Sequence, residues 1–173
     1  MNILDATEDD LLPVLGIYNE AVANTTAIWN ENQVELEDLR HWLGQKRQQG
    51  FPVLVAKLDG DKTVGFASFG DWRAWDGYRH TVELSVYVHK DVRGRGIGTA
   101  LIRELLNRAR SLGKHVVIAG IEASNETSIR MHAGLGFEDA GHLREVGTKF
   151  GRWLDLRFMQ IVLDDNTDPR GRT

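Results

Sequence analysis

Between a strand-like run and a strongly helical one lies Arg93-Gly94-Arg95-Gly96-Ile97-Gly98. Glycines at such a junction let backbone N–H groups come close to an anion, and the helix N-terminus adds about half a positive charge. Arg93 and Arg95 add more. The segment suits a pyrophosphate; the alternative is a plain glycine-rich connection with two solvated arginines. It is not a P-loop, which needs Lys-Ser or Lys-Thr after its last glycine. It is not the dinucleotide fingerprint either, because Thr99 stands where the third glycine belongs. Upstream, Glu83 interrupts the apolar run Thr81–Val88. Burying an unpaired carboxylate is costly, so Glu83 is either a candidate general base or the partner of Arg79, Arg73 or Lys149. Strand alternation puts Glu83 and Ser85 on one face, with Leu84 and Val86 on the other. With no cysteine, a thiol nucleophile and a Cys-ligated zinc site are excluded, and the six histidines show no metal-binding spacing, so no metal is implied.

These residues need rigid elements beneath them, and the patterning supplies seven strands and four helices. Asn2–Ala6 reads as a strand, and Thr7 and Asp10 have capping-box spacing ahead of a helix with Leu11, Leu15, Tyr18 and Val22 on one stripe. A second helix covers Leu36–Gln49. Strands follow at Val53–Leu58 and Thr63–Phe69, joined by the turn Asp59–Lys62, and then comes the strand Thr81–Val88. Ile97, Leu101, Leu105, Ala109 and Leu112 stripe the strongest helix, which Gly113 ends. A strand at His115–Ile121, a short helix from Asn125 to Ala133, and two long strands at Phe137–Val146 and Arg152–Leu163 complete a mixed α/β sheet with helices on its faces.

The chain has 173 residues, 42% hydrophobic and 27% charged, which suits one folded domain over residues 1–163; residues 164–173 read as a polar, disordered tail. A net charge of −4 argues against a nucleic-acid partner. No apolar run reaches the roughly 18 residues of a membrane span, and the N-terminus lacks a secretory pattern. A cytoplasmic protein without membrane partners is expected.

Arg93-x-x-Gly96-x-Gly98 resembles the acyl-CoA-binding motif of the GNAT superfamily of N-acetyltransferases. The segment Asn125-x-x-Ser128-x-x-x-His132-x-x-x-Gly136-Phe137 is similar to a second motif of that family. Outside the cofactor half, Thr25–Asn30, Phe66–Arg73, Thr81-Val82-Glu83 and Val146–Asp155 resemble the branch that acetylates phosphinothricin and L-methionine sulfoximine. The resemblance implies the GNAT fold, with a mostly antiparallel central sheet. It implies acetyl-CoA as co-substrate, a small amino-acid-like acceptor, a homodimer, and a link to herbicide or antibiotic resistance. Acetylation of peptides or proteins, or mere acyl-CoA sensing, remains an alternative.

It also implies roles. Val86, Tyr87 and Val88 would hold the pantetheine arm by their backbone; Arg93, Gly94, Arg95, Gly96, Ile97 and Gly98 would hold the diphosphate; Asn125 would contact the arm. Glu83 would be the base and His132, in place of the family's tyrosine, the general acid for the thiolate. Trp72, Arg73, Glu83, Ser85 and Lys149 would contact the acceptor, Arg73 or Lys149 through its carboxylate.

Overall fold

A computed structural model of the protein describes residues 1–58, 61–163 and 169. The start of the expected Asp59–Lys62 turn and nearly all of the expected tail lie outside the described residues.

Strand β1 (Asn2–Asp5) leads through a 3-10 turn at Glu8–Asp10 into helix α1 (Leu11–Asn24), and helix α2 is Leu36–Gln48. Strands β2 (Val53–Leu58), β3 (Lys62–Asp71) and β4 (Thr81–Val88) form a meander. Helix α3 (Ile97–Ser111), strand β5 (Val116–Glu122), helix α4 (Glu126–Ala133) and strands β6 (Glu138–Lys149) and β7 (Arg152–Val162) follow. All eleven expected elements are present.

The seven strands lie in the order β1-β2-β3-β4-β5-β7-β6. Among the described residues only the β4–β5 pair is parallel, because the α3 crossover between them carries the chain back to its starting edge. The sheet has a core on each face. On one, α3 buries Ile97, Leu101, Leu105 and Ala109 against Leu54, Ala67, Val82 and Leu84. On the other, α1 and α2 bury Leu11, Val14, Leu39 and Leu43 against Val55 and Phe66. Each fully buried leucine, isoleucine, valine or phenylalanine among these contributes on the order of 1.5–3 kcal/mol.

Two sequence expectations shift locally. The Thr7–Asp10 capping box forms, but on the 3-10 turn that leads into α1. Asp10 is 2% exposed and its carboxylate turns inward, accepting hydrogen bonds from the Thr7 N–H at 2.9 Å and the Thr63 hydroxyl at 2.7 Å, with Lys57 Nζ at 2.9 Å. Strand β6 also runs on past the expected end at Val146. A bulge between Leu143 and Gly147 interrupts its register with β7, and pairing resumes at Gly147↔Leu154 and Lys149↔Arg152.

Four hydrogen bonds to Asp10, two of them from Thr7, lower its carboxyl to about 2, despite a burial cost that acts the other way. A depressed carboxylate contributes stability above its unfolded value of 3.8, and loses it as pH falls toward 2. Asp10→Ala should cost about 3 kcal/mol in urea unfolding at pH 7, since it strands a partly buried lysine. The deficit should shrink below pH 3; an undiminished deficit there would exclude the ionised carboxylate as its cause.

Candidate active site

Strands β4 and β5 pair for only four residues, from Thr81↔Val116 to Leu84↔Ala119. Beyond that point each is held by its outer neighbour: β4 stays with β3 as far as Val88↔Gly65, and β5 follows β7 as far as Glu122↔Leu156. The sheet therefore splits. Alternate backbone N–H and C=O groups along Ser85–Val88 face the gap without a strand partner, an edge that an extended amide-bearing ligand can use. A cavity of about 400 Å³ fills the split, walled by Glu83, Ser85, Val86 and Tyr87 from β4, Gly120 and Glu122 from β5, and Asn125 and His132 beside or on α4.

At the outer end of the gap the glycine-rich turn opens α3. Gly94 and Gly96 have φ of 77° and 76°, in the left-handed region, and Gly96 caps the helix with no side-chain hydrogen bond. The first amides of α3 are thereby left to an external acceptor. Gly98 has a different reason: a Cβ there would lie 2.9 Å from Met131 Sδ on α4. Arg93 is partly engaged, its Nε donating to the Val88 carbonyl at 3.0 Å and its guanidinium pairing with Glu20 at 3.2 Å. That tie fixes the turn to the end of β4, while Arg95 stays exposed beside it. Open strand edge, glycine cradle and unfilled helix terminus follow one another along the chain, which fits the pantetheine arm and diphosphate of an acyl-CoA.

Glu83 lies at the closed end of the gap. It is half-buried, and among the described residues no cation or donor pairs with it; the expected alternatives Arg79, Arg73 and Lys149 all bond elsewhere or stay exposed. Burial pushes its carboxyl above the ordinary value of 4.5. Its carboxylate leans over Gly120, where a Cβ would sit 2.9 Å from Oε1. Asn125 caps α4, its Oδ1 accepting from the Ser128 N–H at 3.1 Å, and still lines the cavity.

His132 reaches the cavity wall, but in a state unsuited to donating a proton. It is 2% exposed, and burial lowers its basicity below the usual 6.5. Nδ1 lies 2.8 Å from the Ser128 carbonyl, an acceptor, so Nδ1 carries the proton in the neutral ring. Nε2 is buried with no partner in the chain. It bears a lone pair, and the ring must gain a second proton before it can act as an acid.

Three expected acceptor contacts fall outside the cavity wall. Trp72 packs edge-on against Phe158 at 5.2 Å, and exposed Arg73 stacks over Trp72 at 5.2 Å. Lys149 is corrected outright: it is 1% exposed, and its ammonium donates to the carbonyls of Val22 at 2.5 Å, Thr25 at 2.7 Å and Ile28. With its donors used on backbone, it has none left for a carboxylate. Instead it clamps the loop that carries Ala27 to the cavity. Trp29 braces the same loop, its ring lying where a Cβ on Gly147 would be, at 2.1 Å.

Three charged residues of the wall, Asp71, Glu122 and Lys46, were not among the expected site residues. Glu122 accepts from Thr26 Oγ1 at 3.1 Å and from Ser124 N and Oγ at 3.0 and 2.6 Å, tying the α1–α2 loop to the end of β5. Lys46, from α2, also lines the cavity. The approach of Lys46 to Gly70 is visible only in the folded chain, because Gly70 lies just past the expected end of its strand at Phe69.

An open sheet split between two parallel strands, with a diphosphate cradle at one end and an unpaired carboxylate at the other, defines an acyl-CoA-dependent transferase. The chain belongs to the acetyltransferase (GNAT) family, whose model matches residues 14–137. It is 52% identical over 163 residues, 94% of this chain and 95% of the relative, to the L-methionine sulfoximine/L-methionine sulfone acetyltransferase of Pseudomonas paraeruginosa. Among solved structures, the ribosomal-protein-alanine N-acetyltransferase of Brucella melitensis matches with a TM-score of 0.92 and 54% identity, over 94% of this chain and 99% of that one. The phosphinothricin acetyltransferase of Sinorhizobium meliloti, solved with acetyl-CoA, matches with a TM-score of 0.93 and 36% identity, over 96% and 90% of the two chains. Among the described residues, no helix is long and apolar enough to cross a membrane, and no group of three metal-ligating side chains occurs.

Nitrogen-15 NMR of labelled histidine should find His132 as the neutral Nδ1–H tautomer at pH 7, charging only below the usual 6.5. A cationic ring at pH 7 would restore it as the general acid.

Proposed function

We propose that the protein transfers the acetyl group of acetyl-CoA to the α-amino group of a free amino acid or analogue of the methionine sulfoximine, methionine sulfone and phosphinothricin type. The observation that carries this reading is the unpaired, half-buried Glu83 carboxylate at the closed end of the β4–β5 gap. An α-amino group with a pKa near 8 is roughly nine-tenths protonated at pH 7, so a base must free its lone pair. Glu83, directly or through a water, takes that proton. The amine then attacks the thioester carbonyl, whose oxygen a β4 N–H near Val86 or Val88 stabilises. The new C–N bond forms, the C–S bond breaks, and the second amine proton passes through cavity water to the departing thiolate. Glu83 hands its own proton to solvent. The amides at Gly94–Gly98 and the cap at Asn125 orient the donor, and the Nε2 lone pair of His132 accepts a hydrogen bond from it.

Names borne by relatives as close as the methionine sulfone enzyme support the acceptor class. The name of the Brucella relative favours a second reading, acetylation of a protein N-terminus. We also read the protein as a cytoplasmic homodimer. Dependence on acetyl-CoA favours the first, and exposed Leu143, Val146, Phe150 and Trp153 along the β6–β7 hairpin favour the second.

A screen that follows free thiol release should find turnover with methionine sulfone, methionine sulfoximine or phosphinothricin, and little with alanine-initiated peptides; turnover on peptides alone would favour the second reading. Glu83→Gln should lower kcat by about 10²–10⁴ while leaving acetyl-CoA affinity in place. A base acts when deprotonated and burial raises Glu83, so wild-type kcat/KM should fall as pH drops through a value above 4.5. That limb should vanish in the variant, and its persistence would assign the base elsewhere.

A further inference from the structure

Gly70 of β3 is the direct cross-strand partner of Glu83 on β4. Directly opposed residues of an antiparallel pair project to the same face, with Cβ positions about 5 Å apart. Gly70 leaves its half of that face empty, and α2 fills it: Lys46 Nζ lies 2.8 Å from where a Gly70 Cβ would stand. An ammonium and a carboxylate thus share the cavity wall without pairing to each other, the ammonium over Gly70 and the carboxylate leaning the other way, over Gly120. Lys46 donates to the Phe69 carbonyl at 2.8 Å, which holds the ammonium in place and leaves it two further donors. Asp71, which also lines the cavity and favours the charged form of Lys46, is half-exposed and lies 3.8 Å from Lys114.

An α-amino acid carries its own ammonium and carboxylate one carbon apart. Set with its amine at Glu83, it brings its carboxylate across the β3–β4 pair to the space over Gly70. We infer that Lys46 binds the α-carboxylate of the acceptor, and that Gly70 is a glycine to make room for it. This rests on the free-amino-acid reading proposed above. It gives to α2 the task that the sequence assigned to Arg73 or Lys149, neither of which reaches the cavity wall. Burial also makes the Lys46 ammonium easier to discharge than an exposed lysine, so acceptor binding weakens at alkaline pH.

The test compares methionine sulfone with the same amine lacking its carboxyl group, on wild type, Lys46→Met and Lys46→Arg. Lys46→Met should raise KM for the sulfone about ten- to hundredfold, the loss expected for one charge-assisted contact. It should leave KM for the carboxyl-free amine, and that for acetyl-CoA, within about twofold. Lys46→Arg should restore most of the loss. The unchanged amine reaction certifies that Lys46→Met is folded and active. If Lys46→Met moves both acceptors equally, or neither, Lys46 is only a tether between α2 and β3 and the inference falls while the amino-acid reading stands. If wild type acetylates the bare amine or peptides but no free amino acid, the reading and the inference fall together.

Discussion

Backbone hydrogen bonding between β4 and β5 stops after Leu84 and Ala119 because each strand has a stronger claim on its other side. The β3–β4 ladder extends to Val88 and the β5–β7 ladder to Glu122, so the two halves of the sheet twist apart as separate bodies. Everything in the site follows from that split. It exposes unpaired amides where a thioester-bearing arm can lie, and it opens a cavity inside a sheet that would otherwise be solid. It also puts Glu83 one residue before the last β4–β5 pair, shielded enough to be basic yet open to the cavity.

The polar groups around the split divide into those that hold and those that act. Arg93, Glu122, Lys149 and the Nδ1 face of His132 are each committed to partners within the chain, and each fixes a different wall: the diphosphate turn, the mouth of β5, the α1–α2 loop and α4. Glu83, the Nε2 of His132 and two of the Lys46 donors are left uncommitted and line the cavity. A site built this way needs little rearrangement when ligands enter, because the cost of ordering its walls is met on folding.

Much of this was legible in the sequence. The helix stripe of α3, the glycines before it and the single carboxylate in an apolar strand are local patterns, and local patterns survive folding. Lys46 was hidden for the opposite reason. A basic residue in the last turn of an amphipathic helix is what the helix dipole favours, so nothing marks it out until β3 is seen passing beneath. Lys149 misled for a related cause. Its neighbours at Val146–Asp155 resemble an acceptor-binding stretch, but whether a lysine at a strand end faces solvent or the interior depends on loop 25–28, more than a hundred residues earlier in the chain. The β6 end was missed because a bulge restarts pairing after the apparent stop.

Lys149 also makes two distant pieces of chain mechanically one. It sits at the tip of the β6–β7 hairpin, yet it is bolted to the carbonyls of the segment that carries Ala27, and Trp29 lies against Gly147 close by. The hairpin tip and a stretch of the cavity wall are therefore pinned to each other through one buried ammonium, so neither can be rebuilt without the other.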